Sequence, residues 1–336
     1  EQLAQRIVTM LTELPNQYVA VIELPQDISE VMYKNNLPPI LGKNLAVIGA
    51  WQGKQDGYPY PIKVEPVKPP QNSLTGLFGL TPSMGNLNGM QQFKVNAQQA
   101  PISHLYIQLE GHINDVFSRQ PLNHLTTIFK AFFGLAIGMD MLENKWQSVG
   151  SSQLLIGVYQ NSATGFIKME DDRIGNSEST LIRRMRVKKV EPERLIHDLR
   201  TIVHILDMDE TFPQLALAGR WLFDSHSNED ALMGFMQLAI CAEVLLGTED
   251  GGEGVTALLA TRCAYLIAGS TKERNDLIAE FKNIYKVRSK IVHRGHGTFK
   301  ENERNQYRRL RIICNRILQR EIQLAIKDSP ELQLAA

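Results

Sequence analysis

The sequence predicts an α+β N-terminal domain over residues 1–185, followed by an all-α antiparallel helical bundle over residues 186–336. Three observations lead there. Short runs rich in branched residues and bounded by Pro or Gly crowd the first half, whereas from Glu191 onward apolar residues recur at the helical period almost without interruption. Between the two, Asp171–Thr180 is polar and reads as a linker.

Taken in order, Glu1–Leu14 places Leu3, Ile7, Leu11 and Leu14 on one face and predicts an amphipathic helix rather than a secretory leader. Tyr18–Leu24 and Asn44–Trp51 have strand composition. Gly57–Gln71 carries Pro59, Pro61, Pro66, Pro69 and Pro70, which excludes it from a sheet centre, and Asn72–Gln92 reads as a long loop of Gly, Asn, Leu and Met. The glycines of that loop lack the GxxxxGK[ST] pattern of a phosphate cradle. His104–Glu110 is the next strand, Pro121–Lys145 a helix, and Gln153–Gln160 and Gly165–Glu170 two further strands. Leu125–Leu142 contains Lys130 and Asp140 and so reads as a buried helix, not a membrane span. His104, His112 and His124 have no metal-ligand spacing, and neither metal nor cofactor is expected.

Arg183, Arg184, Arg186, Lys188 and Lys189 form a basic run, either a solvated connector or a track for a phosphate backbone. Helices follow over Pro192–Asp207 and Pro213–Phe223, each with Pro near its first turn, and a break is expected at Asp224–Asn228. Glu229–Leu246, Val255–Ala268, Thr271–Val292 and Asn302–Lys327 complete the bundle, with a turn at Thr248–Gly254.

With 336 residues and 43% hydrophobic content the chain is long enough for two cores. Thirty-six basic and 36 acidic residues cancel, so any affinity for polyanions must come from local patches. Cys241, Cys263 and Cys314 all lie in apolar helical stretches without a disulfide framework or CxxC site, which suits a cytoplasmic protein.

Three charges stand out. Glu243 is the ionisable group, thiols aside, of Ala231–Leu246, and Arg262 is the formal charge of Val255–Ala268. Arg288 lies amid Leu277, Phe281, Ile284, Tyr285, Ile291 and Val292 on one helical face. A guanidinium cannot shed its charge, so it needs a carboxylate or an anionic ligand there. The simplest arrangement sets Glu243 beside Arg262 and Arg288, with hydroxyls from Tyr265 and Tyr285. Its functional version fixes Arg288 with donors turned to a phosphate; its structural version only ties three helices together. His293 follows Arg288 by five positions, about 140° around and 7.5 Å along a helix. One helix does not aim both side chains at one atom, but two copies about a twofold axis can. Such a pair suffices for RNA cleavage in which a 2′-hydroxyl is the nucleophile. On the last helix Arg304, Arg308, Arg309, Arg311, Arg316 and Arg320 crowd the apolar stripe, mostly as a solvated face and alternatively as phosphate contacts.

The ordered set Glu243–Gly247, Arg262–Ile267, Glu273-Arg274 and Tyr285–Gly295, led by Trp221 and Asp230, resembles the ApeA-like branch of the HEPN (higher eukaryotes and prokaryotes nucleotide-binding) superfamily over roughly residues 191–327. The resemblance implies a helical bundle that forms a homodimer and an Arg-x4-His motif for metal-independent RNA cleavage. Arg288 and His293 become the catalytic pair, with Ser289, Glu243, Arg262 and Tyr285 in support and Lys290, Arg294, Arg308, Arg309 and Arg311 as RNA contacts. It further implies a toxin or effector in bacterial antiviral defence, whose N-terminal domain senses a protein or nucleic-acid activator. Ser289 departs from the Asn, Asp or His common after that arginine, and Arg294 stands where Gly often follows the histidine. The other reading is a catalytically silent HEPN module for dimerisation or RNA binding in a larger assembly. A third is a nucleotide-binding regulator.

Overall fold

Alternation along Asn16–Glu23 sends Tyr18, Ala20 and Ile22 to one side of a strand, β1, and Val19 and Val21 to the other. The structure, a computed structural model, describes residues 16–49 and 102–329, apart from breaks at 112, 114–119, 148, 150–152, 163–164, 189–190, 209, 248–253 and 295–297, together with Ala4 and Gln333. The helix expected over Glu1–Leu14, the proline-rich Gly57–Gln71 and the loop Asn72–Gln92 lie outside the described residues.

Helix α1 (Gln26–Lys34) follows β1, then β2 (Ile40–Leu41), β3 (Leu45–Ile48) and β4 (His104–Gly111). Helix α2 (Gln120–Gly138) precedes β5 (Leu142–Asn144), β6 (Leu155–Ser162), β7 (Gly165–Arg173), α3 (Asn176–Arg184) and β8 (Met185–Val187). Six strands form an antiparallel sheet in the order β2-β3-β4-β1-β6-β7, and β5 pairs with β8 alone. Tyr18, Ala20 and Ile22, with Leu105, Ile107 and Leu109 of β4 and Ile156 and Val158 of β6, line the face that enters the main core. Val19, Ala46, Ile48 and Tyr106 form a small cluster on the opposite face.

The second half is helical: α4 (Pro192–Asp207), α5 (Pro213–Ser227), α6 (Ala231–Leu246), α7 (Val255–Ile267), α8 (Thr271–Arg294) and α9 (Glu301–Asp328). Each was expected within a few residues of its observed bounds. The core is continuous across the chain, because α2 lies between the sheet and the bundle. Phe129 and Phe133 of α2 meet Phe223 of α5 with ring centroids 6.0 and 6.1 Å apart. The backbones cross closely at Gly134 and Gly219; a Cβ on Gly134 would collide with the Gly219 carbonyl. A second tie joins α4 to the sheet, where the Asp207 carboxylate accepts the backbone N–H groups of Lys43, Asn44 and Leu45 at 2.6, 2.8 and 3.1 Å. A side chain on Gly42 would occupy the position of that carboxylate.

Four expectations are corrected. The helix expected over Pro121–Lys145 ends at Gly138: Asp140 takes a left-handed φ of 67°, and the N–H groups of Asp140 and Met141 bond back to Ile137 and Ala136. These bonds form a Schellman stop, and β5 leaves from it. The expected linker Asp171–Thr180 is the end of β7 and the start of α3, with Ile174 and Ser179 buried and the Glu178 carboxylate capping Gly175 N–H at 3.1 Å. The basic run is no free connector: Arg183 and Arg184 end α3, and Met185–Val187 pairs with β5, so the boundary expected between 185 and 186 falls inside β8. The break expected at Asp224–Asn228 is absent up to Ser227, because Asp224 turns inward to Lys130 at 2.8 Å. Helix α1 had not been foreseen. Cys241, Cys263 and Cys314 are free and buried. Among the described residues no helix is long and apolar enough to cross a membrane.

The glycine crossing gives a direct test. Gly134→Ala should lower the urea-unfolding free energy by about 3 kcal/mol, since backbone rather than a flexible side chain must move. An unchanged midpoint would mean that α2 and α5 do not approach as described.

Candidate functional site

Leu277, Phe281, Ile284, Arg288 and Ile291 follow a 4-3-4-3 spacing along α8, so the stripe that buries this helix contains one arginine. Phe281 and Ile284 are fully buried, and the Phe281 and Tyr285 rings stack with centroids 4.8 Å apart. Val287 is buried instead of Val292, which is 48% exposed and drops out of the expected face because it is one position beyond Ile291.

Arg288 finds the carboxylate its position demands. Its Nη2 lies 3.5 Å from Glu243 Oε1 of α6, and both side chains keep about a third of their surface in solvent, 31% and 32%. The Arg288 Nε is sealed and has no hydrogen-bond partner. Tyr285 lies beneath the pair, with its hydroxyl donating to the Ala239 carbonyl at 3.5 Å. Burial and the Glu243 charge push its phenol well above the ordinary range, so Tyr285 is a neutral donor at any working pH.

Arg262 does not join this group as an ion pair. Its Nη1 donates to the Leu246 carbonyl at 2.8 Å, so it caps the C-terminus of α6 one turn beyond Glu243, where the helix dipole favours a cation. Tyr265 is 64% exposed and lies under the Arg274 guanidinium at 4.2 Å, away from the expected cluster.

The far end of α8 is polar. Ser289, Lys290 and His293 are exposed, and no hydrogen-bond partner of His293 is found among the described residues. Lys290 Nζ lies 3.4 Å from Glu303, whose other oxygen accepts the Lys300 N–H at 2.9 Å; this buried carboxylate joins the end of α8 to the start of α9. Arg294 ends α8, and its side chain lies outside the described residues.

The arginines of α9 are not equivalent. Arg309 makes a bidentate pair with Glu280 at 2.6 and 2.9 Å, and Arg311 lies over the Tyr307 ring at 4.8 Å while donating to its hydroxyl at 2.9 Å. Arg308 is exposed, with Asn305 at 3.4 Å. Two groups here were absent from the sequence reading. Lys282 and Lys286 share the exposed face of α8 with Ser289 and His293 in a 4-3-4 spacing that was visible in the sequence. His226, near Arg311, has its Nε2 sealed and unpartnered, and burial, with Arg311 behind it, pulls its imidazole down to about 3.

Among the described residues no group of three or more His, Cys, Asp or Glu side chains is placed to hold a metal ion. Chemically the site offers a guanidinium held to one carboxylate, a neutral phenol, and an exposed imidazole. Comparison with protein-family models, with curated proteins and with solved structures found no match.

Two outcomes follow from this geometry. A pair at 3.5 Å with a third of its surface in solvent contributes little, so Arg288→Met should cost about 1 kcal/mol or less by urea unfolding. A loss of several kcal/mol would show a guanidinium buried far more deeply. His226 is neutral when folded and has an ordinary affinity for protons when unfolded, so the unfolded state gains protons first on acidification. Stability is therefore full above pH 6.5 and should fall below it, by roughly 1 to 2 kcal/mol at pH 5, before most carboxylates titrate. In His226→Gln that slope between pH 6.5 and 5 should vanish; an unchanged slope would place its origin elsewhere.

Proposed function

We propose that this chain is a metal-independent RNA endoribonuclease of HEPN type, acting as a homodimer through its helical bundle. The observation that carries the reading is the Arg288–Glu243 pair: a guanidinium oriented by one carboxylate contact, a third exposed, on the helix that presents His293 to solvent. Arg288 meets its carboxylate at a single contact of 3.5 Å, whereas Arg309 meets Glu280 through two bonds at 2.6 and 2.9 Å.

In this mechanism His293 takes the proton of a ribose 2′-hydroxyl, whose oxygen attacks the adjacent phosphorus. Arg288 stabilises the negative charge that gathers on the phosphorane oxygens, the P–O5′ bond breaks, and the leaving 5′-oxygen takes a proton from solvent while His293 releases the one it accepted. The products carry a 2′,3′-cyclic phosphate and a 5′-hydroxyl. In this reading the angular offset of Arg288 and His293 is bridged by a site built from two α8 helices, each chain supplying a pair. Lys282 and Lys286, on the same exposed face as His293, are the backbone contacts favoured by position, with Ser289 and Lys290 beside them. Arg309 and Arg311 are occupied within the chain, which leaves Arg308 as the open arginine of the three earlier candidates on α9. The role in bacterial antiviral defence, and an activator sensed by the N-terminal part, rest on the family resemblance.

The second reading, a silent module for dimerisation or RNA binding, is favoured by Ser289 at a position where active members of the resembled family commonly carry a stronger polar group. The two part on a single experiment. Wild type, His293→Ala and Lys282→Ala/Lys286→Ala are incubated with transfer RNA and total RNA in excess EDTA, and the product ends are mapped. The nuclease reading expects cyclic-phosphate ends from wild type and none from His293→Ala at unchanged melting temperature and dimer mass. It expects the double lysine variant to lose affinity with a shallower salt dependence. Cleavage that requires magnesium, or that leaves 5′-phosphates, overturns the mechanism; RNA binding by all three proteins without cleavage favours the silent module.

A further inference from the structure

A second charge set in an apolar stripe lies far from Arg288 in sequence. On α4 the buried face runs through Leu195, Leu199, Ile202 and Leu206, and Asp198 falls within it. Its side chain is 7% exposed, and its Oδ2 is sealed without a hydrogen-bond partner. The nearest cation, Arg194 one turn earlier, reaches only to 3.6 Å through its Nε while its side chain stays 64% exposed. Burial pushes the Asp198 carboxyl up, and Arg194 and His197 only partly oppose this. A buried acceptor left in this state is costly, on the order of 1–3 kcal/mol.

Asp198 borders a cleft of about 590 Å³ between the first half of α4 and the last turns of α9, within the roughly 300–1,000 Å³ range of small-molecule sites. Met139, Ile322 and Ile326 give it apolar walls. Gln319 and Gln323 add amide groups; Gln319 spends its Nε2 on the Gly138 carbonyl at 2.8 Å, which leaves its oxygen as an acceptor. Glu193 and Asp198 against Arg194 leave the lining one negative charge in excess. The Gln323 oxygen already accepts from Arg320 at 3.2 Å, and the remaining features select for the same chemistry: methylene segments against the walls, and N–H donors with positive charge toward Asp198, Glu193 and the Gln319 oxygen.

From this juxtaposition we infer that the cleft binds an aliphatic polyamine, one ammonium displacing Arg194 from Asp198 and the next facing Glu193. Arg194 serves as a placeholder: loosely paired and largely solvated, it covers the carboxylate until a better cation arrives. A nucleotide fits less well, because its phosphate would add to the net negative charge. The inference does not depend on the ribonuclease reading, since none of the cleft residues belongs to the Arg288 site.

The test is titration calorimetry of the full chain with spermidine at physiological salt, against its fully N-acetylated form and GMP as controls. Saturable binding of spermidine is expected, with no heat from either control. Asp198→Asn, of the same shape, should weaken binding roughly tenfold or more. Gln323→Lys, at an exposed position, fills the cleft with a fixed cation and should abolish binding at an unchanged melting temperature. Arg194→Ala should tighten binding several-fold by removing the competitor. The proposal is overturned if spermidine gives no saturable heat, if Asp198→Asn binds as wild type does, or if Arg194→Ala weakens binding. A response to GMP in place of spermidine would assign the cleft to anionic ligands and overturn it equally.

Discussion

Helix α2 reaches α5 closely only because neither Gly134 nor Gly219 carries a side chain at their crossing. Much of the molecule follows from that contact. It sets α5 against the helix that covers the inner face of the sheet, so sheet and bundle share one core. The α5 helix carries α6 with it, and α6 carries Glu243. Asp207 fixes the other side by gathering three backbone N–H groups from the β2–β3 turn, a geometry that Gly42 leaves room for. Glu243 beneath α8 is thus tied to the sheet through α5 and α2, while its own helix also packs against α8 and α9.

The charges buried within this frame differ in how fully they are satisfied, and the differences separate structural groups from candidates for function. Lys130 bonds both Glu178 at 2.6 Å and Asp224 at 2.8 Å; burial pulls its ammonium down, but the two bonds more than offset this and hold it above its ordinary value. It is a closed unit that joins α2, α3 and α5. Glu303 and Arg309 are similarly occupied. Arg288 and Asp198 each face a single partner, at 3.5 and 3.6 Å, and each has a sealed polar atom with no bond. His226 Nε2 and the Nε atoms of Arg220, Arg274 and Arg311 are also sealed without a bond, and what singles out Arg288 and Asp198 is that each meets its one ion-pair partner only loosely and borders the proposed site or a cleft.

The helical half was legible to within a few residues at each end, because a 3.6-residue apolar period needs no partner to be recognised and Pro192 and Pro213 mark helix starts. The first half was less so. The strands β5 and β8 are each three residues long and exist only because they find one another, which no local pattern announces. Helix α3 was concealed by Asn176, Ser177 and Glu178, polar residues read as linker that in fact make its capped first turn. At the site, the pairing of Arg288 with Glu243 was predicted from charge among apolar neighbours. The same argument failed for Arg262, because a helix C-terminus is as good a partner for a guanidinium as a carboxylate, and sequence does not distinguish them. Asp198 satisfied the same criterion on α4 and went unnoticed among the many other charges of that helix.

The distribution of cations limits how RNA can be held. Thirty-six basic residues are balanced by 36 acidic ones, and on α9 the arginines best placed by number are spent: Arg309 on Glu280, Arg311 on Tyr307, Arg316 on Glu273 and the Ile267 carbonyl. The cations that remain open include a narrow stripe, Lys282 and Lys286 running toward His293 on α8, with Arg304 and Arg308 one turn apart on α9. A stripe of that width neutralises few phosphates, so affinity should be modest and only weakly dependent on salt. This suits a site that recognises one phosphate and one ribose through Arg288 and His293 better than it suits a surface that tracks a long duplex. Doubling the stripe by pairing two chains raises the number of backbone contacts and, in the same step, brings the arginine of one helix within reach of the histidine of the other. Affinity and chemistry would then depend on the same association, which makes the oligomeric state the variable through which both are controlled.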